Sequence, residues 1–166
     1  MTIIAGIDPG SSPDKATTGW CFYNPETKVA QASGIFGEAD APEGLFSQVE
    51  VVVIEKPIGY GPTRPTVVAA AIVAGRLYER CHLWQMAARS GSVQWMSRRE
   101  VYKLLTLAVD GVIHVRSDAT AWAALLELHG GPTCAKKGGC LYGVRSHARA
   151  ALAVAVAWSL QHQPTA

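Results

Sequence analysis

The chain predicts an α/β domain built on a mixed, five-stranded sheet that opens with an antiparallel three-strand meander and is flanked by helices. Two near-continuously apolar runs, Thr2-Ile3-Ile4-Ala5-Gly6-Ile7 and Val49-Glu50-Val51-Val52-Val53-Ile54, read as strands buried on both faces. Between them the aromatic segment Thr17-Thr18-Gly19-Trp20-Cys21-Phe22-Tyr23 reads as a strand folded back on the first. Beyond them, helical patterns alternate with one further short strand, as expected of a sheet covered by helices.

In chain order, the first run ends in Asp8 and a Pro-Gly-Ser-Ser turn. The aromatic strand follows, then the turn Asn24-Pro25-Glu26-Thr27 and a third strand over 29–36, which completes the meander. A short helix is expected over 42–48, before the second apolar run, which ends in Glu55. Residues 56–65 hold three prolines and two glycines and predict a loop. An Ala-rich helix is expected over 66–80 with Thr66 as its cap. A short strand over 93–96 precedes Ser97-Arg98-Arg99-Glu100, which fits a capping box opening a helix through Leu107. Ser117 similarly caps a helix over 118–129. A loop over 130–143 leads to a last helix over 145–161, and residues 163–166 read as a tail behind a single domain over 1–162.

At 166 residues the chain supports one good-sized core, burying roughly 70% of its unfolded surface. No apolar stretch reaches a membrane span and the start lacks a secretory pattern, so the expectation is a soluble, cytoplasmic protein. Residues 1–88 carry 6 Lys/Arg against 9 Asp/Glu, whereas 89–166 carry 9 against 4. That basic second half favours a polyanionic partner if the charges cluster in space. Cys21 and Cys81 read as free buried thiols. Cys134 and Cys140 flank Ala-Lys-Lys-Gly-Gly, a wider spacing than a zinc knuckle uses, so reduced thiols are expected there rather than a structural zinc.

Asp8 and Glu55 are the informative residues. An acid at the tip of a buried strand is costly unless paired, protonated or bound to a cation. If the two strands are neighbours the carboxylates converge, which begins a divalent-metal site. Two-metal phosphodiester hydrolysis needs such oxygen ligands from several elements, holding ions about 3.5–4 Å apart.

Gly6-Ile7-Asp8-Pro9-Gly10-Ser11, then Thr18-Gly19, then Val53-Ile54-Glu55 before a loop resemble the RuvC family of Holliday junction resolvases, of the ribonuclease H-like fold. The Ala-rich helix with Gly75, and His147-Ala148-Arg149-Ala150-Ala151-Leu152-Ala153-Val154-Ala155 at the end, resemble that family's corresponding helices, so the likeness covers most of the chain. It implies a homodimeric endonuclease that needs Mg²⁺, for which Mn²⁺ can substitute, and nicks four-way DNA junctions symmetrically, with the dimer interface on the helix over 67–80. Asp8 would bridge two metals, Glu55 hold one, and His147 contact the second or orient the attacking water.

The departure is in the last helix. The family typically carries two Asp there, three residues apart, with a histidine in some members; this chain has His147 and Ala150. Either another residue compensates, or the protein binds junctions without cutting them. Asp118 is a weak candidate, since an acid in a first helical turn is explained by the helix dipole alone. For DNA, the resemblance assigns Tyr60 to unstacking bases at the junction centre. Arg64, Lys136, Lys137, Arg145 and Arg149 are candidate phosphate contacts, while Arg98 and Arg99 read as surface residues at a helix start, although Arg99 could face the duplex. Rival readings are a nuclease of the same fold acting on RNA or other branched nucleic acid, and a phosphotransferase of the sugar kinase and actin class. The latter needs two such domains, and this chain has room for one.

Overall fold

The computed structural model describes residues 2–12, 15–37, 46, 49–57, 64–88 and 91–162. Five strands form one sheet in the order β3-β2-β1-β4-β5: β1 (Ile4–Asp8), β2 (Thr18–Asn24), β3 (Val29–Phe36), β4 (Val51–Lys56) and β5 (Ser92–Ser97). β1 to β3 make the antiparallel meander, and β4 and β5 add in parallel beside β1. The mixed sheet and its leading meander are as the sequence predicts. The short helix expected over 42–48 and the tail 163–166 lie outside the described residues, apart from Phe46.

Among the described residues, four α-helices pack on this sheet: α1 (Pro65–Ala88), α2 (Arg98–Ala108), α3 (Asp118–Leu128) and α4 (His147–Gln161). Strand periodicity divides the core in two. Ala5 and Ile7 of β1 with Val52 and Ile54 of β4 face Val73, Leu77 and Cys81 of α1. Ile4, Val51 and Val53 face the opposite way, onto residues of α2, α3 and α4. Asp8 and Glu55 continue this second set, so both carboxylates emerge on the side covered by α2, α3 and α4.

Both capping boxes form. Ser97 accepts from the Glu100 amide while Glu100 accepts from the Ser97 amide at 2.8 Å, and Ser117 and Thr120 do the same for α3. The first long helix departs from expectation at both ends. It begins at Pro65, suited to a first turn by its fixed φ and missing N–H, so Thr66 is inside the helix rather than its cap. It then runs eight residues past Arg80, since 81–88 contains no breaker and Cys81 and Gln85 are buried. The Gln85 amide donates to the carbonyls of Phe46 (2.7 Å) and Val49 (3.1 Å), anchoring that extra length. The loop over 130–143 contains a 3-10 turn at Pro132–Ala135, and α4 starts at His147, two residues later than predicted.

Two glycines set how closely α4 lies on the sheet. A Cβ on Gly6 would collide with the Ala151 backbone, and one on Gly19 with the backbone of His147. Gly19 is the β2 residue paired with Asp8. The lack of a side chain there lets the first turn of α4 settle beside Asp8.

A candidate active site at the tips of the parallel strands

β1, β4 and β5 run parallel, and crevices outside the carboxyl ends of such strands are where α/β sheets place ligands. Ile7 pairs with Ile54, so the next residues, Asp8 and Glu55, stand side by side at that edge. Glu55 in turn pairs with Met96, which puts the β5–α2 junction, and hence Arg98, at the same edge. Asp8 and Glu55 are only 7% and 6% exposed.

Arg98 is at the surface, as its sequence position suggests, with a side chain 44% exposed, but its guanidinium also reaches the buried acids. Its Nε donates to Glu55 Oε1 at 2.6 Å, a charge-assisted bond. Its Nη2 lies 3.5 Å from Asp8 Oδ1 and its Nη1 3.8 Å from Asp118 Oδ1. Each guanidinium nitrogen thus addresses a different carboxylate, from β4, β1 and α3. The sequence does carry a signal for this: a residue directly after a parallel strand lands at the same edge as its neighbours' tips.

On the other side of Asp8, His147 Nδ1 stands 3.4 Å from Asp8 Oδ2, its side chain about half exposed. Ser146, just before it, holds a left-handed φ of 47°, a strained conformation for serine, and has no side-chain cap bond. Asp118 does occupy the first turn of α3, as expected, but it also faces the site. It accepts from the Tyr102 hydroxyl at 2.8 Å and lines a cleft of about 370 Å³ with Asp8, His147 and Ala150. A second cleft, about 260 Å³, lies on the Glu55 side between Asp8, Glu55, Arg98 and the first turns of α1 at Thr66 and Val67.

Burial pushes the Asp8 carboxyl up to about 8, and the neighbouring Glu55 charge adds to this against the opposing pull of Arg98. Glu55 is raised as well, by burial, with the bond from Arg98 working against it. Burial disfavours the Arg98 charge, yet the bond to Glu55 and the surrounding carboxylates hold its pKa above the ordinary arginine value. Among the described residues, no three His, Cys, Asp or Glu side chains gather tightly enough to form a ready-made metal cage. The donors stand instead as pairs, with Arg98 between Glu55 and Asp8.

The other candidates are placed unevenly. Arg149 is exposed at the mouth of the His147 cleft, its guanidinium 4.4 Å above the Trp122 ring. Arg145 is exposed in the segment entering α4, and Arg64 is exposed just before α1, next to the Glu55-side cleft. Lys136 and Lys137 are exposed on a loop tied to the far end of the sheet. There the Cys140 carbonyl accepts from the Ala30 amide, and His129 meets Tyr23, the β2 residue paired with Ile4 at the start of β1. Tyr60 lies outside the described residues. All four cysteines are free thiols. Sequence reasoning missed a groove of about 970 Å³ along α2, where Arg99, Lys103, His114 and Arg116 lead to Arg98 and Asp118.

No protein-family model, curated protein or solved structure matches this chain.

Proposed function

We propose that the protein is a divalent-metal-dependent endonuclease of the ribonuclease H-like fold that acts, as a homodimer, on four-way DNA junctions. One observation carries the reading. Asp8 and Glu55 stand side by side at adjacent parallel strand tips, and His147 is brought to Asp8 by the first turn of the last helix. The resemblance to the RuvC family puts its motif residues at these positions, and the meander followed by parallel strands is the sheet that it implies.

The donor set suits the cation. Carboxylate oxygens with one imidazole are ligands that Mg²⁺ and Mn²⁺ accept. Two buried carboxyls held above their usual range are groups whose ionisation a bound cation would favour. Asp8, Glu55 and His147 are the residues that would hold divalent cations, which would supply an activated water and charge neutralisation in phosphodiester hydrolysis. Asp8 is central, since it borders both clefts. His147, half exposed, is placed to orient a water with its free ring nitrogen while Nδ1 faces Asp8. Arg98 offers a fixed positive charge toward a phosphate entering from the α2 groove, where Arg99, Lys103 and Arg116 supply contacts to the backbone.

For the dimer, α1 turns Val68, Ile72, Leu83 and Met86 outward, 45–63% exposed, and a Cβ at Gly75 would meet open space. Small and apolar residues on one outward helix face suit close approach of a second copy. No helix among the described residues is long and apolar enough to cross a membrane.

A second reading draws on Arg98. Its guanidinium bridges Glu55 and Asp8, where a shared cation would otherwise sit, as would suit a junction-binding protein that does not cut. The test is to incubate a labelled four-way junction, a linear duplex and an RNA–DNA hybrid with the protein in Mg²⁺, Mn²⁺ or Ca²⁺. Paired nicks in the junction alone, in Mg²⁺ or Mn²⁺, are expected. Tight junction binding without cleavage in any metal would favour the second reading, and preferential cutting of the hybrid would move the substrate to RNA.

A further inference from the structure

We infer that Arg98 takes the place of one of the two cations, so that the site holds a single divalent ion per chain, on the His147 side of Asp8 with Asp118 as an added ligand. The inference rests on the metal-dependent reading above and deepens it.

Three observations converge. The space between Asp8 and Glu55, where a shared ion would sit, is bridged by the guanidinium: Nε is bonded to Glu55 at 2.6 Å and Nη2 is 3.5 Å from Asp8. Arg98 is fixed there by its position as the first residue of α2, directly after the Ser97 cap, so the charge is built into the fold rather than borrowed from a mobile loop. Across Asp8 the cleft remains open, about 370 Å³, and is lined by Asp8, His147 and Asp118.

The charges agree with this division. Asp8, Glu55 and Asp118 are three carboxylates when ionised, and Arg98 cancels one; leaving aside Arg149, whose guanidinium lies over the Trp122 ring at the cleft mouth, a formal −2 remains that one divalent ion neutralises. Ala150, on the wall of the same cleft, offers no oxygen for a second ion. Asp118 faces that cleft from α3 and supplies a carboxylate from a different element. Its bond from the Tyr102 hydroxyl and its approach to Arg98 Nη1 orient it there. A guanidinium cannot activate water as a metal does, but the second N–H of an Nη group can still donate to a non-bridging or leaving phosphate oxygen.

Mn²⁺ binding to the full chain, followed by calorimetry and by the loss of free-ion paramagnetic resonance, tests the inference without reference to turnover. The wild type should bind one Mn²⁺ per chain. Arg98→Gln, close in shape but neutral, should bind a second ion or hold the first at least tenfold more tightly. Arg98→Lys, which keeps the charge, should stay at one. Asp118→Asn should weaken the single ion by tenfold or more, with circular dichroism confirming that each variant is folded. Two ions of comparable affinity in the wild type, or an Arg98→Gln variant indistinguishable from it, would overturn the inference while leaving the nuclease reading intact. A wild type that binds no Mn²⁺ at millimolar concentration would overturn both.

Discussion

Asp8 carries the largest electrostatic consequence of the site. Its carboxyl sits near 8 in the folded protein against an ordinary value near 4, chiefly because it is buried. Below pH 4 it is protonated in both states and adds no penalty. As the pH rises from about 4 to about 8 the unfolded chain releases this proton first, so the folded state loses stability over that window, by a few kcal/mol in order of magnitude. The metal-free protein should therefore unfold at progressively lower urea concentration across that range. Asp8→Asn should flatten the dependence and be the more stable protein at pH 8, and Mg²⁺ should restore the wild type there. A urea midpoint for the wild type that rises between pH 5 and 8 would contradict this. Asp8 and Glu55 were legible in the sequence because each ends an apolar run that has no other reason to finish in an acid. The part of Arg98 was not, since a charged residue opening a helix is ordinarily solvated, and for the same reason Asp118 was legible only as a weak candidate. The parallel pairing of β4 with β5 and the packing of α3 set them beside the two acids while their side chains stay 44% and 61% exposed.

At the scale of elements, the site depends on how α4 rests on the sheet. Gly19, the residue paired with Asp8, accepts the His147 backbone directly against it. Gly19→Ala should push the first turn of α4 away, costing about 1–3 kcal/mol as overpacking does. Cleavage should fall much further, tenfold or more, because His147 moves off Asp8. Equal activity with lowered stability would separate the helix position from the chemistry. The Ser97 cap plays a like part for α2: Ser97→Ala should cost about 1 kcal/mol and loosen the Arg98 anchor. Capping boxes are local patterns of four residues, which is why both helix starts were legible in the sequence. The end of α1 was not, because burial of Cys81 and Gln85 against distant residues, rather than any local signal, continues it to Ala88. Lys136 and Lys137 looked close to the last helix in sequence, yet their loop is tied to the opposite end of β1.

The whole molecule has an apolar outward face on α1 and a basic groove along α2, and the proposed function assigns one to a second copy and the other to DNA. Ile72→Arg on α1, half exposed in the single chain, should give a folded monomer in sedimentation and uncouple the paired nicks into single ones. Lys103→Ala with Arg116→Ala in the groove should weaken junction binding and lower the slope of log affinity against log salt by about 1 per lost phosphate contact. An unchanged slope would remove that groove from the DNA path. The central claim, that the paired acids at the strand tips cut phosphodiesters, is tested most directly by cleavage of a labelled four-way junction in Mg²⁺ by the wild type and by Asp8→Asn. Symmetric nicks by the wild type, and none by a variant that still binds the junction, are the expected result. Undiminished cleavage by Asp8→Asn would contradict it.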